Sequence, residues 1–578
     1  MNIFARSPTA GASGKKRRSR SKAQANSKVS QLIQKRRDYL TKWKEIRDYQ
    51  LPYLGVLEES EFNDQHQRRD QKIYTGCAWE CCNIFASGIM SGLTPPSRNW
   101  FKLTFADPAL KENKEASMVL DERNTILERV LAGSNFYNAA QSVYMELPFG
   151  IGALGVFPDA KKGVRFTHYP IGTYCIDVGA DGIANTFCRK YKMYTSQIAE
   201  QFGIENLPNQ LRHELERDGG INSQHFVYCL IEPNREYDRH NPTRLTMPYV
   251  VMYWLDGSAD DEWLHIGGSY EMPIAVARYL VTGLEPYAKG AGWFALGDSK
   301  MLQALEKDLL VAVQLGVRPP MQADVETAAR GINIIPGAAN ATNMNGGIKP
   351  IFDVKLDIAS VQTKIEATKE AIKRAYNADL FLTISSLEKG QMTAREVMER
   401  SQEKLQQLGP VVERLEFEFL SVILERVYNI LERANMFPPF PEEMMAQLAS
   451  EEVKIEYISP LAQAQKMSGL TAIEQLFAFT GTIAQMFPEV ADKIDALEAL
   501  DKYASALGSP AAILRSDEEV AKRQEARAQA QQAAAQQEMM RETAPALNQT
   551  AQAAKNFREA VGGSNDVMAQ MLGLPGLS

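Results

Sequence analysis

The strongest constraint on the fold is a pair of amphipathic stretches separated by a segment too small to fold alone. Leu302, Leu305, Leu309, Val313 and Val317 recur at three- and four-residue spacing until Arg318-Pro319-Pro320 ends the run, since proline lacks an amide proton and clashes with the preceding turn. Ile358, Val361, Ile365, Ile372 and Tyr376 mark a second stripe. Each predicts a rod of about 30 Å. The Gly-, Asn- and Pro-rich residues 318–356 lie between them, and two rods joined at one end form a hairpin whose connecting module projects outward.

Length and composition narrow the class. At 578 residues the chain has room for several domains of about 150 residues each. Hydrophobic residues at 45% and charged ones at 23% exclude bulk disorder, a collagen-like fibre and a small disulfide scaffold. No apolar run reaches the length of about 18 residues that a helical membrane span needs, so no membrane partner is expected. The opening MNIFARSPTAGASGKKRRSRSK lacks the apolar core of a secretory signal.

Net charge is -7, which argues against a simple cationic wrapper of nucleic acid. The distribution is uneven: Met1 to Arg37 contains no acid, and Lys15, Lys16, Arg17, Arg18, Arg20 and Lys22 cluster. Residues 1–29 are therefore expected to form a basic flexible tail, solvated or touching phosphate.

Residues 30–54 and 71–91 read as helices, FKLTF at 101–105 as a half-buried strand, and 115–147 as helix. Between 150 and 280, short alternating runs separated by turn residues predict a mainly β block. Helix dominates after 297. The order helix, strand block, helix predicts an α+β fold. Thr393 and Glu396 form a capping box that opens a long helix, and Gly409-Pro410 predicts a kink in it. Residues 521–540 hold Ala or Gln at most positions, which suits a solvated, partly disordered helix or one packing against copies of itself.

Catalytic chemistry is hard to find. Cys77, Cys81, Cys82, Cys175, Cys188 and Cys229 form no CxxC pair and read as reduced core thiols. The histidines have no metal-site spacing. Gly150, Gly152 and Gly155 form a GxGxxG pattern, but it follows a helix and precedes a strand, the wrong context for a dinucleotide site. No phosphate loop or nucleophile elbow is present. No enzyme activity, catalytic residue, metal or cofactor is expected.

Four ordered runs go further: SGIMSGLTPPSRNWFKL at 87–103, GLEPYAKGAGWFALGDSKMLQALEKDLL at 283–310, TAREVMERSQEKLQQLGPVVERLEFEFL at 393–420 and IEYISPLAQAQK at 455–466. Together they resemble the head-to-tail connector, or portal, family of short-tailed bacteriophages, the podovirus type, colinearly from about residue 30 to about 510. The resemblance implies a virion ring, typically of twelve subunits, at one capsid vertex. Double-stranded DNA would pass through it during packaging and ejection. The terminase large subunit, and later tail adaptor proteins, would dock on it, and capsid and scaffolding proteins would surround it. Assembly would take place in the host cytoplasm.

By that analogy, 30–296 and 393–458 would form an α/β wing, 297–317 and 357–378 two stem helices, 318–356 a small α/β clip, 379–392 a channel loop and 459–515 a helical crown. Residues 516–578 would be an Ala/Gln-rich tail or a C-terminal helical barrel. Twelve copies at -7 each would make a repulsive channel wall, along which DNA slides. Ser386, Leu387, Glu388 and Lys389 on the loop, and Lys373 and Arg374 on the stem, are the candidate DNA-facing residues. Screening over about 8 Å limits each to local influence, and Lys389 could equally be paired with Glu388. The rival readings are another head-tail structural protein, an adaptor or scaffold, and a nucleotide-dependent enzyme acting on nucleic acid.

Overall fold

The structure, a computed structural model, describes residues 21–54, 57, 70–105, 114–217, 220–240, 243–259, 262–317, 321–322, 325–329, 331, 349–350, 358–382, 407–440, 453–461 and 476–482, and parts of 520–534 and 552–556. It divides into two compact units, Met1–Asp107 with Val119–Gly508, and Pro108–Met118 with Ser509–Ser578. In the second unit, described residues 520 and 522–530 are helical, and those from 522 are exposed.

Helix α1 (Lys22–Gln50) buries Ala25, Val29, Leu32, Leu40, Trp43 and Ile46 along one face. It starts inside the stretch expected to be a flexible tail up to residue 29. The reason is tertiary: Lys22 is 1% exposed, its ammonium donates to Ser258 Oγ at 2.8 Å, to the Glu262 carbonyl at 2.6 Å and to the Ala259 carbonyl, and it lies over the Trp263 ring. A buried cation with this many partners is no longer a solvated one.

Helix α2 (Cys77–Leu93) follows. Strand β1 (Phe101–Phe105) has the expected alternating burial. The helical stretch expected over 115–147 splits into α3 (Lys114–Gly133) and α4 (Phe136–Glu146). At the break, the Asn135 side chain donates to the Phe166 carbonyl at 2.8 Å and accepts from its amide at 2.9 Å, so a bond across the fold replaces helix continuity.

The β block holds strands β2 (Ile151–Asp159), β3 (Gly163–Tyr169), β4 (Tyr174–Val178), β5 (Ala184–Tyr194), β6 (Gln224–Pro233), β7 (Tyr249–Leu255), β8 (His265–Ser269) and β9 (Ile274–Arg278). They form two open antiparallel sheets, ordered β3-β2-β9 and β4-β5-β6-β7-β8. Between β5 and β6 come helices α5 (Thr195–Phe202) and α6 (Asn209–Glu216), which the mainly-β expectation passed over. These helices and the turn between them place Ile198, Phe202, Leu207 and Leu211 over Val227 and Leu255 on one face of the five-stranded sheet. Ala25, Val29 and Leu32 of α1 cover Cys188, Leu230, Met252 and Trp254 on the other. All six cysteines are free thiols, five of them buried.

Helix α7 (Ala291–Val317), strand β10 (Met321–Gln322), helix α8 (Val325–Ala329), strand β11 (Lys349–Pro350) and helix α9 (Ile358–Ala375) follow. Residues 407–414 are helical, 415–420 form a wider π turn, and α10 (Ser421–Arg433) completes the helix. Strand β12 (Val453–Tyr457) pairs antiparallel with β1, Phe101 opposite Tyr457.

Two buried arginines lock the 407–433 helix to the sheets, and a third, Arg123, ties α3 to the segment just after that helix. Arg278 meets Glu418 with a bidentate pair at 2.6 and 2.8 Å. Arg426 donates to the Val156 carbonyl at 2.8 Å and to Glu271 at 3.1 Å; burial lowers its pKa to about 10. Arg123 donates to the Pro438 carbonyl and lies 3.8 Å from the Phe440 ring centroid.

The edge strand β8 supplies a pH test. Burial first, and then the Arg244 guanidinium 2.9 Å from Nδ1, push the His265 pKa down from 6.5 to about 4. The unfolded chain takes up this proton near pH 6.5 and the folded one only near pH 4, so stability falls as pH drops across that window. The loss is at most about 3 kcal/mol, reduced by the water that reaches the half-buried ring. Urea unfolding at pH 7 and pH 4.5 is expected to show a smaller difference for His265→Gln than for the unsubstituted chain.

Candidate rod pair and channel-facing residues

Helices α7 and α9 are the two rods read from the sequence. They lie side by side, with Lys369 Nζ 3.6 Å from Glu306 Oε1, and the short β10–β11 pair, Met321 opposite Pro350, ties the chain just beyond their far ends. Glu306 and Lys369 stand equally far in sequence from Val317 and Ile358, so the pair is antiparallel and in register. The ion pair sits about 16 Å from that end.

On α7, burial is confined to the near half. Ala291, Gly292, Ala295, Leu296, Ser299, Leu302 and Gln303 are the buried residues of α7. Beyond them Leu310 is 50% exposed, Val311 43%, Val313 42% and Val317 73%. On α9, Ile365, Thr368 and Ile372 are buried. At the rod root the chain turns through Asn377 at a φ of +50°, a backbone state that asparagine tolerates better than most side chains.

Here the expected channel loop 379–392 begins differently. Its described residues 379–382 are helical, and Leu380 and Phe381 are each 1% exposed. Phe381 stands edge-on to Phe85 at 5.6 Å and fills the place of a side chain at Gly88, where an added Cβ would collide with it. Apolar burial thus draws Leu380 and Phe381 into the core between the exposed Asp379 and Leu382. Ser386, Leu387, Glu388 and Lys389 lie outside the described residues, as do Thr393 and Glu396.

The two cations expected on the stem are described. Lys373 Nζ lies 2.7 Å from Glu370 Oε1, and this carboxylate holds the ammonium above the usual lysine range. Arg374 Nε donates to the Glu370 carbonyl at 3.3 Å. Both occupy the last turn of α9, where cations also complement the helix dipole. Lys373 acts on Cys77 as well. The hydrogen bond from Cys81, opposed by burial and assisted by Lys373, brings the Cys77 thiol down to about 7. The exposed carboxylate beside Lys373 weakens any pull on a passing phosphate.

The kink residues are also placed. Gly409 and Pro410 are helical, and the change of winding comes after them, at Leu415–Leu420, where the wide turn carries Glu418 onto Arg278. Sequence reading found the proline and missed the turn, whose only signal was the pairing need of a buried arginine many residues earlier.

The GxGxxG glycines serve packing. Gly150 ends a short 3-10 turn at a φ of +116°, and an added Cβ would meet the Ala288 carbonyl. Gly152 would meet Val143 Cγ1 at 2.7 Å and Gly155 the Phe157 ring at 2.6 Å. Gly152 and Gly155 lie within β2, so no glycine loop opens toward a helix amino terminus. Among the described residues, no group of three or more His, Cys, Asp or Glu side chains could hold a metal ion, and no helix is long and apolar enough to cross a membrane.

Comparison with known proteins gives a consistent result. The family model described as bacteriophage head to tail connecting protein matches residues 22–514. The portal protein of Salmonella phage epsilon15 is 31% identical over 491 residues, 84% of this chain and 87% of that protein. A protein of Bordetella phage BPP-1 named "Probable portal protein" is 31% identical over 486 residues, 83% of this chain and 86% of its own length. A solved virion of a native gene transfer agent particle aligns with 76% of this chain and 92% of that chain at 13% identity and a TM-score of 0.33. The chain belongs to the bacteriophage head to tail connecting protein family, the portal proteins that form a structural part of the particle where head meets tail.

Proposed function

We propose that this chain is the repeating subunit of a closed portal ring whose rod pairs surround a channel for double-stranded DNA. The observation that carries the reading is the far half of α7. Leu310, Val311 and Val313 point in three directions around the helix, since successive residues are about 100° apart, and each is at least 42% exposed in the single chain. A helix apolar on several sides needs cover on several sides. α9 supplies one, and neighbouring copies supply the others. Charge supports the same pairing: α9 carries Lys364, Lys369, Lys373 and Arg374 against Glu366 and Glu370, while α7 carries Asp298, Glu306 and Asp308 against Lys300 and Lys307. Side by side, a cationic helix of one copy faces an acidic helix of the next.

In this reading, 30–296 and 393–458 form the wing, α7 and α9 the stem, 318–356 the clip that meets the terminase large subunit and later the tail adaptor proteins, and 459–515 the crown inside the capsid. Twelve subunits are the expected number, and ATP hydrolysis belongs to the terminase. The paired state of Lys373 favours a wall that lets DNA slide. Lys389 remains the first choice for a phosphate-facing ring.

Electron microscopy of the purified protein tests this. Top views are expected to show a ring with a central pore wide enough for B-form DNA. Solid particles, or single chains of 64.5 kDa at micromolar concentration, would overturn it.

A further inference from the structure

One buried amide joins three helices at the root of the rods. Gln50, the last residue of α1, is 1% exposed. Its Nε2 donates to the Gly292 carbonyl at 3.0 Å and to Ser299 Oγ at 3.2 Å, both on α7. Its Oε1 accepts from the hydroxyl of Tyr376, just past α9, at 2.6 Å. Ser299 and Tyr376 are fully buried. Gly292 leaves the room: a Cβ there would lie 2.7 Å from Gln50 Oε1. A second buried amide, Gln303, accepts from the amides of Tyr74 and Thr75 at 2.6 and 3.1 Å and donates to the Thr75 carbonyl at 2.9 Å.

No described residue of α7 beyond Gln303 is buried. The root is therefore gripped by directional bonds while the far half waits for neighbours. Apolar contacts alone would let a helix roll or slide at little cost, whereas these hydrogen bonds hold together in only a narrow range of angles.

We propose that Gln50 is a positioning residue of the assembly: by joining α1, α7 and α9 at one point it sets the cant at which the rod pair leaves the core, and with it the number of subunits that close the ring. The proposal rests on the ring reading above. From Gln303 to Val317 the lever is about 21 Å, so a tilt of about 5° swings the tip by about 2 Å, more than a close-packed contact absorbs. A ring closes only when the rotation between neighbours divides the circle, so a small error in cant changes the count.

The test uses two mild full-length variants, Tyr376→Phe and Ser299→Ala, each deleting one bond to Gln50. Melting temperature checks folding, and mass photometry with class averages counts subunits. The unsubstituted chain is expected to give one ring mass. The variants, still folded, are expected to give at least two, because a loosened root admits neighbouring closure numbers. Variants that both keep the single ring mass would overturn the role of Gln50 and leave the ring reading standing. An unsubstituted chain that forms no ring would instead overturn the ring reading, and this proposal with it.

Discussion

Replacing Leu310 and Val313 together with aspartate is expected to leave a folded single chain and abolish the ring. In the isolated subunit both side chains are already 42–50% exposed, so the exchange alters little buried surface, and surface substitutions of this kind shift folding stability by about 0.5 kcal/mol or less. In the proposed ring the same positions would face a neighbour. There the change removes about 1 kcal/mol of apolar burial per side chain and places an unpaired carboxylate in a drying contact, at several kcal/mol more. Every contact around the ring carries the same penalty, so the effect on assembly far exceeds that on folding. Mass photometry should show the 64.5 kDa species in place of the ring, with an unchanged far-ultraviolet circular dichroism spectrum. A ring of normal mass in this variant would remove the rod tips from the subunit contact.

The second large effect concerns folding. The Arg278 side chain is 2% exposed and that of Glu418 10%. Arg278 also donates to the carbonyls of Glu285 and Gly182. Arg278→Ala leaves Glu418 charged and nearly dry, with the partly exposed Arg414 Nε 3.5 Å from its Oε1 still beside it, so the loss should fall at or below the about 3–5 kcal/mol that removing one partner of a buried pair costs. Arg278→Met combined with Glu418→Leu removes both charges, and its loss should be well below that of the single change. Chemical denaturation of the three proteins measures this. Equal losses in the single and double variants would mean that packing, and not the charge left on Glu418, dominates.

How much of this was legible beforehand depends on the range over which each signal acts. FKLTF was readable as a strand because alternation is local, and the stripes of α7 and α9 were readable for the same reason. What opposed each element was not. The partner of β1 lies at Val453–Tyr457, and no local pattern names it. Lys22 looked like part of a solvated cluster because its carbonyl acceptors are more than two hundred residues away. The early residues of the 379–392 stretch looked like loop because what buries Phe381 lies on α2, far back in sequence, with Gly88 making the room.

The candidate site shows the same division. Lys373 and Arg374 were legible as cations at a helix end. The carboxylate that answers Lys373, Glu370, was also visible one turn earlier, yet only its 2.7 Å contact shows it engaged. Gln50, by contrast, gave no sign in the sequence. A lone glutamine two residues ahead of a proline becomes informative only when three helices converge on it.

The β1–β12 pairing has a consequence for synthesis. Strand Phe101–Phe105 must wait for a partner that ends at Tyr457, and about 350 residues at ~5–20 per second keep the ribosome occupied for some tens of seconds. Until then its edge is open. A nascent chain therefore cannot complete this part of its fold, and so cannot recruit siblings as a finished building block, before residue 457 has been made.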